Sequence, residues 1–132
     1  MTALVIDTSA VVALLLGEPD ADALKERLLA GSPRLISAFS VLECHVAMSR
    51  KIGPAGPELV DRLLSAVSAE VIAFGDAELA SARVAFDRFG KARHPAALNL
   101  SDCCTYALAK TRGLPVLAKG SDFVATDTRV LD

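Results

Sequence analysis

Ala3-Leu4-Val5-Ile6-Asp7-Thr8-Ser9-Ala10 is a short, wholly apolar run ended by an acid and two hydroxyl residues. A strand that is apolar on both faces belongs in the middle of a parallel sheet, and the polar cluster behind it opens a helix. That helix continues over residues 10–16 and stops at Gly17. Pro19 restarts a second helix from its favoured first turn. Asp20 and Asp22 lie near the positive end, and the helix runs to about Ala30.

Working outward, the same alternation recurs. Residues 34–37 read as a second strand. Ser40, with Glu43 three residues later, has the spacing of a capping box and predicts a helix from there to Gly53. Gly53-Pro54-Ala55-Gly56-Pro57 is the clearest break, followed by a helix over 58–68, a third strand over 71–73 and an alanine-rich helix over 76–89. A basic loop, Gly90-Lys91-Ala92-Arg93-His94-Pro95, leads to Asn99. Asn99 caps a helix that carries Asp102 in its first turn and ends at Gly113. Pro115-Val116-Leu117 reads as a fourth strand, and 128–131 as a fifth. Helices between nearly every pair of strands predict an α/β fold, a central parallel sheet of four to five strands flanked by helices. No linker, repeat or low-complexity segment divides the chain, so residues 1–132 read as one domain.

The composition narrows the function classes. Hydrophobic residues make up 52% and charged residues 23%, so the chain has a proper core. Aromatics at 5% are too few for a base-stacking platform. A net charge of -2 gives no bulk attraction for nucleic acid, so any such binding is local or depends on bound cations. The three cysteines include the adjacent pair Cys103 and Cys104 and show no zinc spacing, which suits buried, reduced thiols. No apolar run approaches the roughly 20 residues that cross a bilayer, and the N-terminus lacks the pattern of a signal peptide. The expected setting is cytoplasmic, with no membrane partner.

In an open α/β sheet, ligands sit beyond the carboxyl ends of the strands. Asp7 ends the first strand, Glu43 follows the second, Asp122 follows the fourth, and Asp102 opens the helix leading into the fourth. Four carboxylates from distant parts of the chain therefore converge on one predicted edge. Close carboxylates repel unless cations sit between them, and oxygen-only ligands select hard ions, Mg²⁺ or Mn²⁺. Such ions activate water and stabilise charge on an attacked phosphodiester. Each acid also has a structural reading. Asp7 caps a helix, Glu43 completes a capping box, Asp102 complements a helix dipole, and Asp122 and Asp127 are turn residues. Lys91, Arg93 and His94, with Arg88, read either as a solvated helix end or as a phosphate clamp beside the acids. Thr8 and Ser9 are placed to hydrogen-bond the site or a substrate phosphate.

Ile6-Asp7-Thr8-Ser9-Ala10, Glu43, Asn99-Leu100-Ser101-Asp102-Cys103 and Pro115-Val116-Leu117, in that order, resemble the PIN-domain ribonucleases. More narrowly they resemble the VapC-type toxins of toxin–antitoxin pairs. The segment 90–99 is similar to one typical of a VapC subgroup. The resemblance implies a PIN-like three-layer sandwich, Mg²⁺ or Mn²⁺ at the acid cluster, and endonucleolytic cleavage of RNA. It further implies inhibition by a cognate antitoxin and a homodimer. By the same resemblance Asp7 and Asp102 match the principal metal ligands, and Glu43 matches the acid on the third helix. The sequence departs from the common pattern three residues after Leu117. Gly120, preceded by Lys119, stands where an acid is usual, which leaves Asp122 as the fourth acid with Asp127 as an accessory.

Three other readings compete. A phosphoacceptor receiver domain also wants acids at strand ends and a late lysine, but it needs paired acids after the first strand, where Asp7 stands alone. A phosphatase of the haloacid-dehalogenase type needs a second Asp two residues after the first, where Ser9 stands. A non-catalytic PIN-like scaffold would keep the fold and bind no metal, against the presence of all four acids.

Overall fold

The structure, a computed structural model, describes residues 2–131. Four short strands, β1 (Leu4–Ile6), β2 (Arg34–Ser37), β3 (Glu70–Ile72) and β4 (Val116–Leu117), form one parallel sheet in the order β3-β2-β1-β4. Between β1 and β2 lie α1 (Thr8–Leu16) and α2 (Ala21–Ala30). Between β2 and β3 lie α3 (Ala38–Ile52) and α4 (Ala55–Ala66). Between β3 and β4 lie α5 (Asp76–Phe89) and α6 (Leu100–Arg112).

Strand periodicity sorts the core into two halves. Along β1, Val5 packs with the α5–α6 layer, while Leu4 and Ile6 pack with α1 to α4. The same alternation separates Leu35 from Ile36 and Val116 from Leu117. The result is a three-layer sandwich with helices on both faces, as the sequence predicts. All three residues of β1 are almost wholly buried, and each side chain contributes about 1.5–3 kcal/mol by leaving water. Among the described residues no helix is long and apolar enough to cross a membrane.

Besides α4, which starts at Ala55 rather than at 58, two boundaries differ from the sequence reading. The helix expected at Ser40 begins at Ala38, capped by Ser37, whose Oγ accepts from Phe39 N at 3.3 Å. β2 therefore runs straight into α3 with no loop. Ser40 becomes a fully buried helix residue, and the predicted Ser40–Glu43 capping box does not form. The fifth strand shrinks to one parallel bridge, Val130 against Val116, with Val116 N donating to Arg129 O at 2.8 Å and Leu131 N to Val116 O at 2.9 Å.

Two glycines have specific work. Gly17 ends α1 at φ +63°, a left-handed turn that L side chains rarely adopt. Gly56 lets α4 press on α3, since a Cβ there would stand 2.4 Å from the Met48 carbonyl.

The strand order locates the site. The chain runs outward from β1 to β2 and β3, then returns across to β4 on the far side of β1. The reversal falls between β1 and β4, and the crevice beyond their carboxyl ends is where such sheets bind ligands. A receiver-like order would seat β3 beside β1, whereas here β3 is the far edge.

Candidate active site: a carboxylate cleft

A cleft of about 310 Å³ opens at that reversal point. Asp7, Glu43, Asp102 and Asp122 all line it, as do Thr8 and Ser9. The four acids arrive from the end of β1, the second turn of α3, the first turn of α6 and the segment after β4.

Asp7 is the most constrained of them, only 2% exposed. As the N-cap of α1, its Oδ2 accepts from Ser9 N at 3.0 Å and from Ser9 Oγ at 2.7 Å. Its Oδ1 accepts from Thr105 Oγ1 at 2.7 Å. The structural reading of Asp7 as a helix cap is therefore correct, and it coexists with its place in the cleft. Burial raises its pKa above the usual carboxylate range, against the hydrogen bonds from Ser9 and Thr105 that favour the charged form.

Asp102 is also bound into its helix. Asn99 Oδ1 accepts from Asp102 N at 2.8 Å, and Asp102 Oδ2 accepts from Asn99 N at 3.0 Å, a reciprocal capping box. Burial, and then the negative charges of Asp7, Asp122 and Glu43, push its pKa up to about 7. Glu43, released from any cap by the earlier start of α3, is half-buried and faces the cleft. Asp122 is exposed and precedes a 3-10 turn at Phe123–Ala125.

Under the acids lies a layer of buried hydroxyls, of which the sequence reading placed only Thr8 at the site. Thr8 Oγ1 lies 3.0 Å from Ser101 Oγ and donates to Ser40 O at 3.4 Å. Ser40 Oγ lies 3.4 Å from Thr105 Oγ1. These contacts tie α1, α3 and α6 together directly beneath Asp7. A signal was available: Thr105 follows Asp102 by one helical turn, so both lie on the same face of α6.

Other sequence candidates stand elsewhere. Asp127 does not line the acidic cleft. It accepts from Tyr106 Oη at 2.6 Å and Lys110 Nζ at 3.2 Å, with Arg88 at 3.5 Å. Burial pushes its pKa up, but Tyr106 and Lys110 outweigh this and hold it below the usual range. The basic loop is closed at its base, where Lys91 N donates to Leu98 O at 3.0 Å and Leu98 N to Phe89 O at 2.9 Å. Within it, the Arg93 guanidinium stacks over Phe86 at 4.8 Å and His94 packs edge-on against Phe89 at 5.1 Å. Lys91 is exposed, and none of the three lines the cleft. The cation that does is Lys119, paired with Glu18.

The donor chemistry fits a hard divalent ion. Every acidic ligand candidate offers oxygen, and two of the carboxyls have raised pKa values through burial, aggravated at Asp102 by neighbouring acids. No thiol or imidazole lines the cleft. Cys44, Cys103 and Cys104 are buried thiols pushed up to about 12, 11 and 12, and His45 is engaged by Asp61 at 2.7 Å. Among the described residues no group of three or more His, Cys, Asp or Glu side chains is placed to hold an ion, and Mg²⁺ is commonly held by one or two carboxylates with water in its other positions.

The chain is similar to known proteins along nearly its whole length. The PIN domain family matches residues 4–128. Ribonuclease VapC of Mycolicibacterium smegmatis is 41% identical over 124 residues, covering 94% of this chain and 96% of the relative. Among solved structures, Mycobacterium tuberculosis VapC20, described as a sarcin–ricin loop cleaving toxin, superposes with a TM-score of 0.77 at 17% identity, covering 97% of this chain and 98% of that one. VapBC2 from Rickettsia felis, solved bound to a promoter DNA fragment, gives a TM-score of 0.73 at 17% identity, covering 99% and 98%.

Proposed function

This chain belongs to the PIN-domain family, among the VapC ribonucleases, and on that premise we propose that its carboxylate cleft is the active site of a metal-dependent endoribonuclease. The observation that carries the assignment of the site is the meeting of Asp7, Glu43, Asp102 and Asp122 in one cleft at the β1/β4 reversal. Residues 1–132 act as one domain, and the protein is the toxin of a toxin–antitoxin pair. A cognate antitoxin silences it, a reading that the toxin–antitoxin complex from Klebsiella pneumoniae among its structural neighbours supports. A homodimer and a cytoplasmic setting complete the reading.

Asp7 and Asp102 hold the principal ion, Mg²⁺ or Mn²⁺, and Glu43 and Asp122 complete the site directly or through water. When bound, the ion supplies a polarised water and positive charge against the phosphodiester under attack. The chain's own contribution is orientation. Ser9 and Thr105 fix both oxygens of Asp7, and Asn99 fixes Asp102. Thr8 clamps α1 to α6 beneath the acids. Glu43 and Asp122 orient the attacking water and accept its proton. Beyond the cleft, Lys91, Arg93 and His94 form an outer track for the RNA backbone.

The product ends test this chemistry. Attack by water leaves no 2′,3′-cyclic phosphate, because the ribose 2′-hydroxyl takes no part. Mass spectrometry of the fragments is expected to show linear phosphate ends only. Cyclic phosphate as the first-formed product would refute water as the nucleophile.

A further inference from the structure

The strongest charge asymmetry in the cleft is Lys119. It is the only cation among the lining residues, set against Asp7, Glu43, Asp102 and Asp122. Its position is fixed from the main chain. It lies two residues beyond β4, and its backbone N–H donates to Ser9 Oγ at 3.0 Å, while that hydroxyl donates to Asp7 Oδ2 at 2.7 Å. Lys119 is thus joined to the most buried acid of the site through a single hydroxyl.

Its side chain is held over the cleft as well. The ammonium donates to Glu18, which also lines the cleft, while Asp20 lies at 4.0 Å, beyond hydrogen-bond range. An ammonium has three donors, and Glu18 takes one of them. The side chains are 39% and 25% exposed, so this is a solvent-screened pair of the weakly held kind, which an incoming anion can share or displace.

We propose that Lys119 is a substrate-contacting residue: held by Glu18, it receives a phosphate of the RNA backbone where that backbone enters the acidic cleft. The proposal rests on the ribonuclease reading above. It supplies what that reading lacks, since the basic loop is outside the cleft and no other side chain lining the cleft carries a positive charge. The competing role is mechanical, with the Lys119–Glu18 pair merely fastening the α1–α2 turn to the end of β4.

The full chain and its Lys119→Gln, Lys119→Arg and Glu18→Gln variants separate these. Binding of a labelled random-sequence single-stranded RNA pool is followed by anisotropy in Ca²⁺ across a salt series. Turnover is followed in Mn²⁺, and Mn²⁺ affinity by calorimetry. Loss of a charge-assisted contact predicts that Lys119→Gln weakens RNA binding by about 10- to 100-fold and lowers the salt slope by about one. Mn²⁺ binding by that variant is not weakened. Lys119→Arg restores the slope, and Glu18→Gln retains it. A wild-type slope in Lys119→Gln overturns the proposal, as does a Glu18→Gln variant with the same loss, which would mark the pair as a fastener. If those results come with wild-type Mn²⁺-dependent cleavage, only the role of Lys119 falls. If the wild-type protein neither binds Mn²⁺ nor cleaves, the ribonuclease reading falls and this proposal with it.

Discussion

Replacing Thr105 by valine removes one hydroxyl from beneath the site, and with it the contacts to Asp7 and Ser40. The residue is fully buried and its Oγ1 donates to Asp7 Oδ1 at 2.7 Å, so the change deletes a short bond to a buried carboxylate. Valine matches threonine in shape, so no cavity opens. A hydrogen bond to a charged acceptor is worth about 1.5–3 kcal/mol, and about 1.4 kcal/mol is a tenfold change in affinity. The bond favours the ionised form of Asp7, the form that ligates. Its loss therefore weakens Mn²⁺ binding by about 10- to 100-fold, the range found when partners of ligating groups are removed. Calorimetric titration with Mn²⁺ measures this directly, and thermal unfolding in EDTA confirms that the variant folds. Thr105→Ser keeps the hydroxyl and recovers most of the affinity. Wild-type Mn²⁺ affinity in a folded Thr105→Val protein would show that Asp7 needs no such anchor, or that it does not hold the ion.

The pH dependence follows from the raised acids. Asp102, pushed to about 7, and Asp7, also raised, retain protons in the ion-free folded chain that an unfolded carboxyl releases near pH 4. The folded state then binds more protons than the unfolded one, so ion-free stability falls as pH rises above about 4, the share owed to Asp102 being lost as pH passes through about 7. Urea titrations in EDTA across that range check the sign; a rise would contradict it. Mn²⁺ binding near pH 6 should release protons, visible as a dependence of the calorimetric heat on the buffer. On the loop, Lys91→Ala or Arg93→Ala is expected to weaken RNA binding and flatten its salt dependence without altering Mn²⁺ affinity, and unchanged slopes would remove the loop from the binding surface.

The sheet was legible because β1 is apolar on both faces and each later strand stands between helical segments, a pattern with one economical solution. The convergence of Asp7, Glu43, Asp102 and Asp122 was legible for the same reason, since strand ends and helix starts share an edge. Local rules misplaced the start of α3: Ser40 and Glu43 have capping spacing, but burial of Ser40 against Thr105 decides its place, and Ser37 takes the cap. Spacing alone does not carry that tertiary contact. Most of the hydroxyl layer was hidden likewise, because Ser40, Ser101 and Thr105 lie far from Thr8 in the chain and are unremarkable until packed. The sequence reading offered Asp127 as an accessory acid and gave Lys119 no role in the site; both follow β4 in the chain, but Tyr106 and Lys110 hold the first away from the cleft, while Ser9 and Glu18 hold the second at it.

The measurement that bears most directly on the whole reading is RNA cleavage by the purified protein in Mg²⁺ or Mn²⁺ against EDTA, beside an Asp7→Asn variant. The cleft geometry predicts cleavage that requires the ion and disappears in the variant while its fold persists. Cleavage that continues in EDTA, or at wild-type rate in Asp7→Asn, would contradict the assignment of this carboxylate cleft as the catalytic centre.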